Sequence, residues 1–327
     1  MAEIYKNTNT AVSTKLYING EAVQPEGDVV VYFSDITEDP KVSPAIDPED
    51  VILTLTATES DVDFSVYSVI VPVTYANRNR KYKLQWVYEY NSTTYYHYTY
   101  LDVVTPYISI EEALEDLGVG SDANDPNYKS YHELRMAEKY ARKQVEHFTG
   151  QKFYLHDNKF TIMGNDSSVL PLPSKIYQLH TLHQNDNILI DNLNNINNIG
   201  YIIEPTASGF GIKINQSSLI EGDTYIANGM VPPSIHDVSP NIFKANKSYD
   251  VYARFGWHSV PDDVEQATIE IMRSYFSKDR AWRDKYVNKI STTDWDFEFK
   301  SEAFNGTGSS YADKLLLDYV ITQMVVV

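Results

Sequence analysis

The chain has 327 residues, 26 tyrosines against four tryptophans, no cysteine and a formal charge of −18. That length accommodates two domains of ordinary size, and the missing cysteines remove disulfides, zinc–thiolate sites and thiol nucleophiles together. The acidic balance extends to both sides of Pro106 and excludes a basic nucleic-acid-binding surface, and no run of about eighteen apolar residues offers a membrane span.

The opening "MAEIYKNTNTAVSTKLY" lacks the apolar centre of a signal peptide, so the glycosylation spacing at Asn91-Ser92-Thr93 carries little weight. Residues 16–104 then supply strand-like runs at short intervals: "LYING", "DVVVYFSDI", "VILTLTA", "DFSVYSVIVPV", "KYKLQWVYEY" and "TTYYHYTYLDVV". In "KYKLQWVYEY" the positions Tyr82, Leu84, Trp86, Tyr88 and Tyr90 alternate with Lys81, Lys83, Gln85 and Glu89. This period of two predicts one face on a core and the other in water, with Trp86 as the core anchor. Asn91-Ser92 supplies the turn of a hairpin. Six or seven strands in a hundred residues predict an antiparallel β-sandwich of immunoglobulin-like type over residues 1–104, closed by Pro106.

The period changes at "YISIEEALEDLGV", Tyr107–Val119. Ser109 and Glu112 have capping-box spacing, Glu111 suits the positive end of a helix, and Gly118 ends it. Asp125-Pro126 predicts the start of a longer helix carrying Tyr128, Tyr131, Leu134, Ala137, Ala141, Val145 and Phe148 on one face, stopped by Gly150. Tyr131, Leu134 and Ala141 are expected to pack into this helix's own core. From about 152 to 255 the pattern returns to strands. Ile176, Leu179 and Leu182 recur every three residues behind Pro171 and Pro173, which predicts a bulged strand. The Asn-rich "DNILIDNLNNINNIG" reads as an irregular hairpin. A third helix follows Pro261, with Asp262 and Asp263 at its start and Val264, Ala267, Ile271 and Tyr275 along one face. Residues 291–310 read as a Gly/Ser-rich loop, "YADKLLLDYVI" as a short helix, and "TQMVVV" ends the sequence.

No arrangement for catalysis is found. "NGTGSS" lacks the lysine of a phosphate loop, and neither a G-x-S-x-G elbow nor H-E-x-x-H is present. His180 and His183 are expected on opposite faces of a strand, and His97 on a hairpin surface. The paired carboxylates Glu111 and Glu112 are explained by capping. Asp294 and Asp296 flank Trp295 without a pre-organised pocket.

The order and spacing of these pieces resemble the head–tail connector family of tailed phages, adaptor proteins that sit under the portal. "YISIEEALEDLGV" is similar to the family's opening, and Phe148-Thr149-Gly150 with Phe153 to its aromatic-Thr-Gly-x-x-aromatic helix end. "LPLPSKIYQLHTL" resembles its β insert. "ARFGWHSVPDDVEQA", with Gly256, Val260, Pro261 and Ala267, resembles its next element, and "LLLDY" its close. The resemblance spans residues 107–321; the insert is longer than usual, and the N-terminal sandwich is an addition.

This resemblance implies an α+β protein of two domains. The sandwich would occupy residues 1–104, and a mainly helical connector domain residues 105–327, with a β insert at about 152–255 and a C-terminal arm at about 322–327. It implies a non-enzymatic virion protein at the head–tail interface, made in the host cytoplasm, without cofactor, metal or membrane. The expected assembly is a homo-oligomeric ring, a dodecamer, between the portal protein and a downstream neck or tail protein, with genomic DNA passing through without specific binding. Met324, Val325, Val326 and Val327 are four apolar residues of high β propensity. They are expected either to add a strand to the portal's edge or to fold back as a closing strand. Lys278, Arg280, Arg283 and Lys285 either line the channel or, beside Asp279 and Asp284, form a solvated helix face. From a different class, the tyrosine-rich sandwich would bind a cell-surface glycan through its aromatic faces.

Overall fold

A two-residue turn organises the first hundred residues in the computed structural model of the protein. The structure describes residues 2–37, 46–120, 124–125, 127–184, 187–194, 201–206, 209–214, 243–276, 287–290, 297–299 and 306–321. Strands β9 (Lys81–Tyr90) and β10 (Thr93–Val104) pair antiparallel with Tyr90 opposite Thr93. Asn91 and Ser92 take φ of 50° and 56°, the left-handed pair that suits the twist of a tight hairpin.

Around this hairpin a five-stranded sheet forms in the order β1-β10-β9-β5-β6, with β1 Ala2–Tyr5, β5 Val30–Asp35 and β6 Leu53–Thr56. A three-stranded sheet, β2-β8-β7, is built from β2 Thr10–Lys15, β7 Thr58–Glu59 and β8 Val66–Val71. The small hairpin of β3 (Tyr17–Ile18) and β4 (Glu21–Ala22) completes this part. The two larger sheets share one core, in which Val12, Val69 and Val71 meet Val31, Phe33, Leu84, Trp86, Leu101 and Val103. Buried aromatic side chains keep their polar ends bonded. Trp86 Nε1 donates to Thr99 Oγ1 at 2.8 Å, Tyr82 Oη to the Tyr75 carbonyl at 2.7 Å and Tyr88 Oη to the Tyr17 carbonyl at 3.0 Å.

Two expectations for this region are corrected. The sheet is not wholly antiparallel, because β1 runs parallel to β10 with Ala2 opposite Leu101. A hairpin connection imposes antiparallel pairing, but no short connection joins β1 to β10. The polar face of β9 is not in water either: Lys83 and Gln85 are both buried. Gln85 Oε1 accepts from the backbone of Ile46 at 2.8 Å, and Lys83 Nζ lies 5.0 Å from the centre of the Tyr98 ring. Strict alternation therefore reported the core side correctly and could not report the chain segment crossing the other side.

The chain divides into two compact units, Met1–Thr105 with His156–Lys159, and Pro106–Leu155 with Phe160–Val327. In the second unit the helices are α1 (Ile110–Leu117), α2 (Tyr131–Thr149), α3 (Asp262–Phe276) and α4 (Ser310–Leu316), followed by a 3₁₀ turn at Leu317–Tyr319. Helix α1 has the complete Ser109–Glu112 capping box and a left-handed Gly118. Helix α2 does not begin at Asp125-Pro126. Its N-cap is Ser130, whose side chain accepts from Glu133 N while Glu133 reaches back to Ser130 N. Tyr128 accordingly lies before the helix, and Tyr131, in its first turn, is exposed rather than in the core. Leu134, Ala137, Ala141 and Val145 are buried, as are Val264, Ala267, Ile271 and Met272 of α3, which packs against both α2 and α4.

Between α2 and α3 lie two further sheets. One has the order β11-β17-β13-β14, with β11 His156–Met163, β13 Ile176–Gln184, β14 Asn187–Asp191 and β17 Ser248–Phe255. The other has the order β12-β16-β15, with β12 Val169–Leu172, β15 Tyr201–Thr206 and β16 Gly209–Ile214. Strand β17 alternates cleanly, burying Tyr249, Val251, Ala253 and Phe255. Its partner β13 is bulged: its register against β17 slips between Ile176 and Gln178 and again between Leu179 and Thr181. Each inserted residue lengthens the apolar repeat from two to three, so that Ile176, Leu179 and Leu182 all reach the core. A short pair, β18 (Val287–Ile290) with β19 (Phe297–Phe299), precedes α4.

The join between β17 and α3 rests on Gly256, at φ 100°. A Cβ there would run into the Tyr154 carbonyl, while Gly256 N donates to the Lys175 carbonyl at 2.8 Å. Replacing Gly256 with Ala combines left-handed strain with a backbone collision. Urea unfolding should show a loss of at least about 3 kcal/mol, against about 1–2 kcal/mol for Gly118→Ala, which bears left-handed strain but meets no neighbour.

Candidate functional site

Helix α2 turns two charged residues into the protein. At 3.6 residues per turn Glu138 and Arg142 share the face of Leu134 and Val145, and both are fully buried. Arg142 Nε lies 3.2 Å from Glu138 Oε1, and its Nη1 lies 3.5 Å from Glu146 Oε1, so one guanidinium bridges two carboxylates along the helix. The remaining acceptor capacity goes to Tyr107, the first residue after Pro106. Tyr107 N donates to Glu138 Oε1 at 3.0 Å, and its hydroxyl donates to Glu146 Oε1 at 3.3 Å. That hydroxyl also accepts from Phe153 N at 3.0 Å. Burial raises the Tyr107 pKa well above its ordinary value, and the Glu146 carboxylate adds to the effect, which keeps the phenol a donor.

The Tyr107 ring starts an aromatic cluster. Phe153 meets it edge-on at 5.8 Å, Trp257 stacks on Phe153 at 5.9 Å, and Tyr319 sits edge-on to both Phe153 and Trp257. Lys175 Nζ lies 3.5 Å from the centre of the Trp257 ring, a close cation–π contact. The final described residues are fastened here as well. Gln151 Nε2 donates to the Tyr319 carbonyl at 2.6 Å, and Ile321 N to the Thr149 carbonyl at 3.0 Å. The segment before α1, the long helix, the β insert and the C-terminal segment thus converge on one point.

The opposite face of α2 carries two large apolar side chains among polar ones such as His132, Lys143 and His147. Met136 and Tyr140 are exposed there, Tyr140 meets Tyr275 of α3 at 5.3 Å, and Lys129 Nζ lies over the ring of Phe276. Leu317 and Val320, at the root of the C-terminal segment, are exposed too.

Among the described residues no group of His, Asp and Glu is arranged to hold a metal, and no helix is long and apolar enough to cross a membrane. Glu138 and Arg142 are fully buried and paired with each other. His97 is half-buried rather than on the surface, with Nε2 3.1 Å from Thr14 Oγ1, and burial lowers its pKa. His180 is buried with its ring 4.9 Å from that of Tyr252, and His183 is half-buried. Glu112 caps α1. Lys278, Arg280, Arg283 and Lys285, Asp294 and Asp296, and Met324, Val325, Val326 and Val327 lie outside the described residues. The sequence reading missed Glu138 and Arg142 by treating all charges on α2 as solvated. Their spacing of four, in line with Leu134 and Val145, was the available signal.

No protein-family model matches the sequence, and no curated protein matches it. Among solved structures, the chain is similar to one in "Virion of native gene transfer agent (GTA) particle", at TM-score 0.36 and 12% identity over 67% of this chain and 92% of that one. It is likewise similar to a chain in "Neck of empty GTA particle computed with C6 symmetry", at TM-score 0.33 and 11% identity over the same shares. A superposition this loose establishes neither a shared fold nor a shared role.

Arg142→Met strands the buried Glu138 carboxylate and should destabilise the protein by about 3–5 kcal/mol in urea unfolding. Adding Glu138→Gln removes that charge and keeps an acceptor for Tyr107 N. The double variant should therefore be more stable than Arg142→Met alone.

Proposed function

We propose that the protein is a structural subunit of a tailed-phage-like particle, an adaptor whose copies form a ring joining the portal vertex to the neck or tail. The observation that carries this reading is the convergence on Tyr107. The residues that give the sequence its connector resemblance include Tyr107 itself, the Ser109–Glu112 box, Thr149-Gly150, Phe153, Gly256 and Tyr319. Of these, Tyr107, Phe153 and Tyr319 pack together, the Ser109–Glu112 box caps α1, and Gly256 seats the join between β17 and α3. An assembly surface, not an active site, is what the uncovered Met136, Tyr140 and Tyr275 supply.

On this reading residues 105–327 are the connector domain and residues 1–104 an accessory domain of immunoglobulin-like type. Support for the latter comes from the buried Trp86 and from Tyr82 at the start of β9, whose hydroxyl reaches back to the Tyr75 carbonyl. The ring is a dodecamer with heterologous contacts, located in the virion neck. Met324, Val325, Val326 and Val327 form an arm that adds a strand to the portal protein, leaving from the root held by Thr149 and Gln151. Lys278, Arg280, Arg283 and Lys285, beside Asp279 and Asp284, form a solvated helix face, or touch phosphates where they line the channel. The chain's charge of −18 keeps the wall from gripping the genome as it passes.

Truncation after Ile321 tests the arm. The shortened protein should keep its melting temperature and still form rings by electron microscopy, yet fail to join portal-bearing heads. A large loss of stability would show the tail to be part of the subunit's own core, and full-length protein that never forms a ring with portal would overturn the adaptor reading.

Binding to duplex DNA should stay weak and sequence-independent at physiological salt. A steep log–log salt dependence, with a slope corresponding to several neutralised phosphates, would contradict a non-gripping channel.

A further inference from the structure

Strand β10 is longer than the strand beside it. Its pairing with β1 begins at Leu101, whereas its pairing with β9 runs from Thr93 to Asp102. The direction of its backbone groups follows from two bonds. Val103 N donates to the Arg80 carbonyl at 2.9 Å, and the Val104 carbonyl accepts from Lys6 N at 2.8 Å. Odd-numbered residues of β10 therefore address β9, and even-numbered residues turn their N–H and C=O groups the other way. Thr94, Tyr96 and Tyr98 point theirs to a side where, among the described residues, no strand pairs with them.

Native sheets protect such an edge with Lys, Pro, a bulge or short length. The segment "TTYYHYTY", Thr93–Tyr100, has no proline, no lysine and no carboxylate, and its register against β9 is unbroken. Its aromatic surface is also available, with Tyr96 55% and Tyr100 42% exposed.

We propose that this edge docks a second copy of the chain, two β10 strands pairing antiparallel about Tyr96. Self-pairing about Tyr96 sets Tyr96 against its equivalent and Thr94 against Tyr98 of the other copy on one face, and Tyr95 against His97 on the other. Every such pair is aromatic with aromatic or aromatic with β-branched, the favourable cross-strand combinations. Charge selects the same strip. Two copies that each carry −18 repel over most of their surfaces, and this edge is a long stretch without a carboxylate. The edge strands β2 and β14, by contrast, carry Lys15 and Asp191, and β6, also uncharged, is only four residues long. The inference rests on the strand edge and does not use the neck reading.

The chain has no cysteine, so Tyr96→Cys in the full chain introduces a single thiol. A hydrogen-bonded antiparallel pair holds its Cα atoms about 5.5 Å apart, within the range of about 4.4–6.8 Å that a disulfide spans. Mild oxidation should convert Tyr96→Cys to a covalent dimer on non-reducing gels. Thr56→Cys, exposed on the opposite edge strand β6, should cross-link at least roughly tenfold more slowly. In sedimentation velocity, Tyr96→Lys places like charges directly opposite and should abolish the association that the wild type shows through this edge. Cross-linking that is absent, or equal at the two positions, overturns the proposal, as does wild-type association untouched by Tyr96→Lys. Association lost in Tyr96→Lys without a disulfide in Tyr96→Cys would assign the edge to another strand, such as residues 322–327, and refute self-pairing.

Discussion

One desolvated guanidinium organises the helical unit. Arg142 is fully buried, and an isolated ion of that size is expensive to take out of water, so its environment must supply both charge and geometry. Glu138 and Glu146, one turn to either side along α2, supply the charge. Two carboxylates around one cation leave acceptor capacity over, and Tyr107 fills it with its backbone N–H and its hydroxyl. Because Glu138 and Glu146 take their further hydrogen bonds from Tyr107, the segment entering α1 must be seated for the buried carboxylates to be bonded. The aromatic cluster extends the same condition to Phe153, Trp257 and Tyr319, hence to the β insert and the last described turn.

Much of this architecture was legible in the residues, and the misses have physical causes. The Ser109–Glu112 box, the stop at Gly118 and the bulged strand through Ile176, Leu179 and Leu182 could all be read because each depends on local spacing. The start of α2 was misplaced because Asp125-Pro126 and Ser130–Glu133 are both sound start signals, five residues apart. The second closes a reciprocal pair of bonds and defines the end. Lys83 and Gln85 were assigned to water because alternation describes one strand and carries no information about the segment at Ile46 that covers it. The parallel pairing of β1 was invisible for the same reason: it joins the first and last strands of Met1–Thr105, with no turn to announce it.

The candidate site was less legible than the fold. The sequence reading placed function in charged and apolar runs near the end of the chain, whereas the described residues put the organising chemistry inside α2. A helix with Lys, Arg, Glu and His around most of its circumference reads as amphipathic with a solvated charged side. Only the phase of Glu138 and Arg142 relative to Leu134 separates a buried pair from a surface one, a difference of a few tens of degrees around the helix. Buried ion pairs of this kind are poor sources of net stability compared with apolar packing, but they tolerate few alternative arrangements. In α2 that intolerance fixes where Tyr107 enters.

Apolar surface is distributed unevenly in the second unit. The β insert closes its own core over Leu170, Leu179, Leu182, Val251 and Phe255, while Met136 and Tyr140 of α2 and Tyr275 of α3 stay exposed. In the first unit a similar division appears between the sheets: the inner faces close over Trp86, and Tyr96 and Tyr100 remain exposed beside an edge without charges. An acidic chain that kept these patches for folding alone would carry an association hazard with no compensating contact. The aromatic surface at Tyr96 and Tyr100, and at Met136, Tyr140 and Tyr275, is where an acidic chain meets another macromolecule with the least charge repulsion.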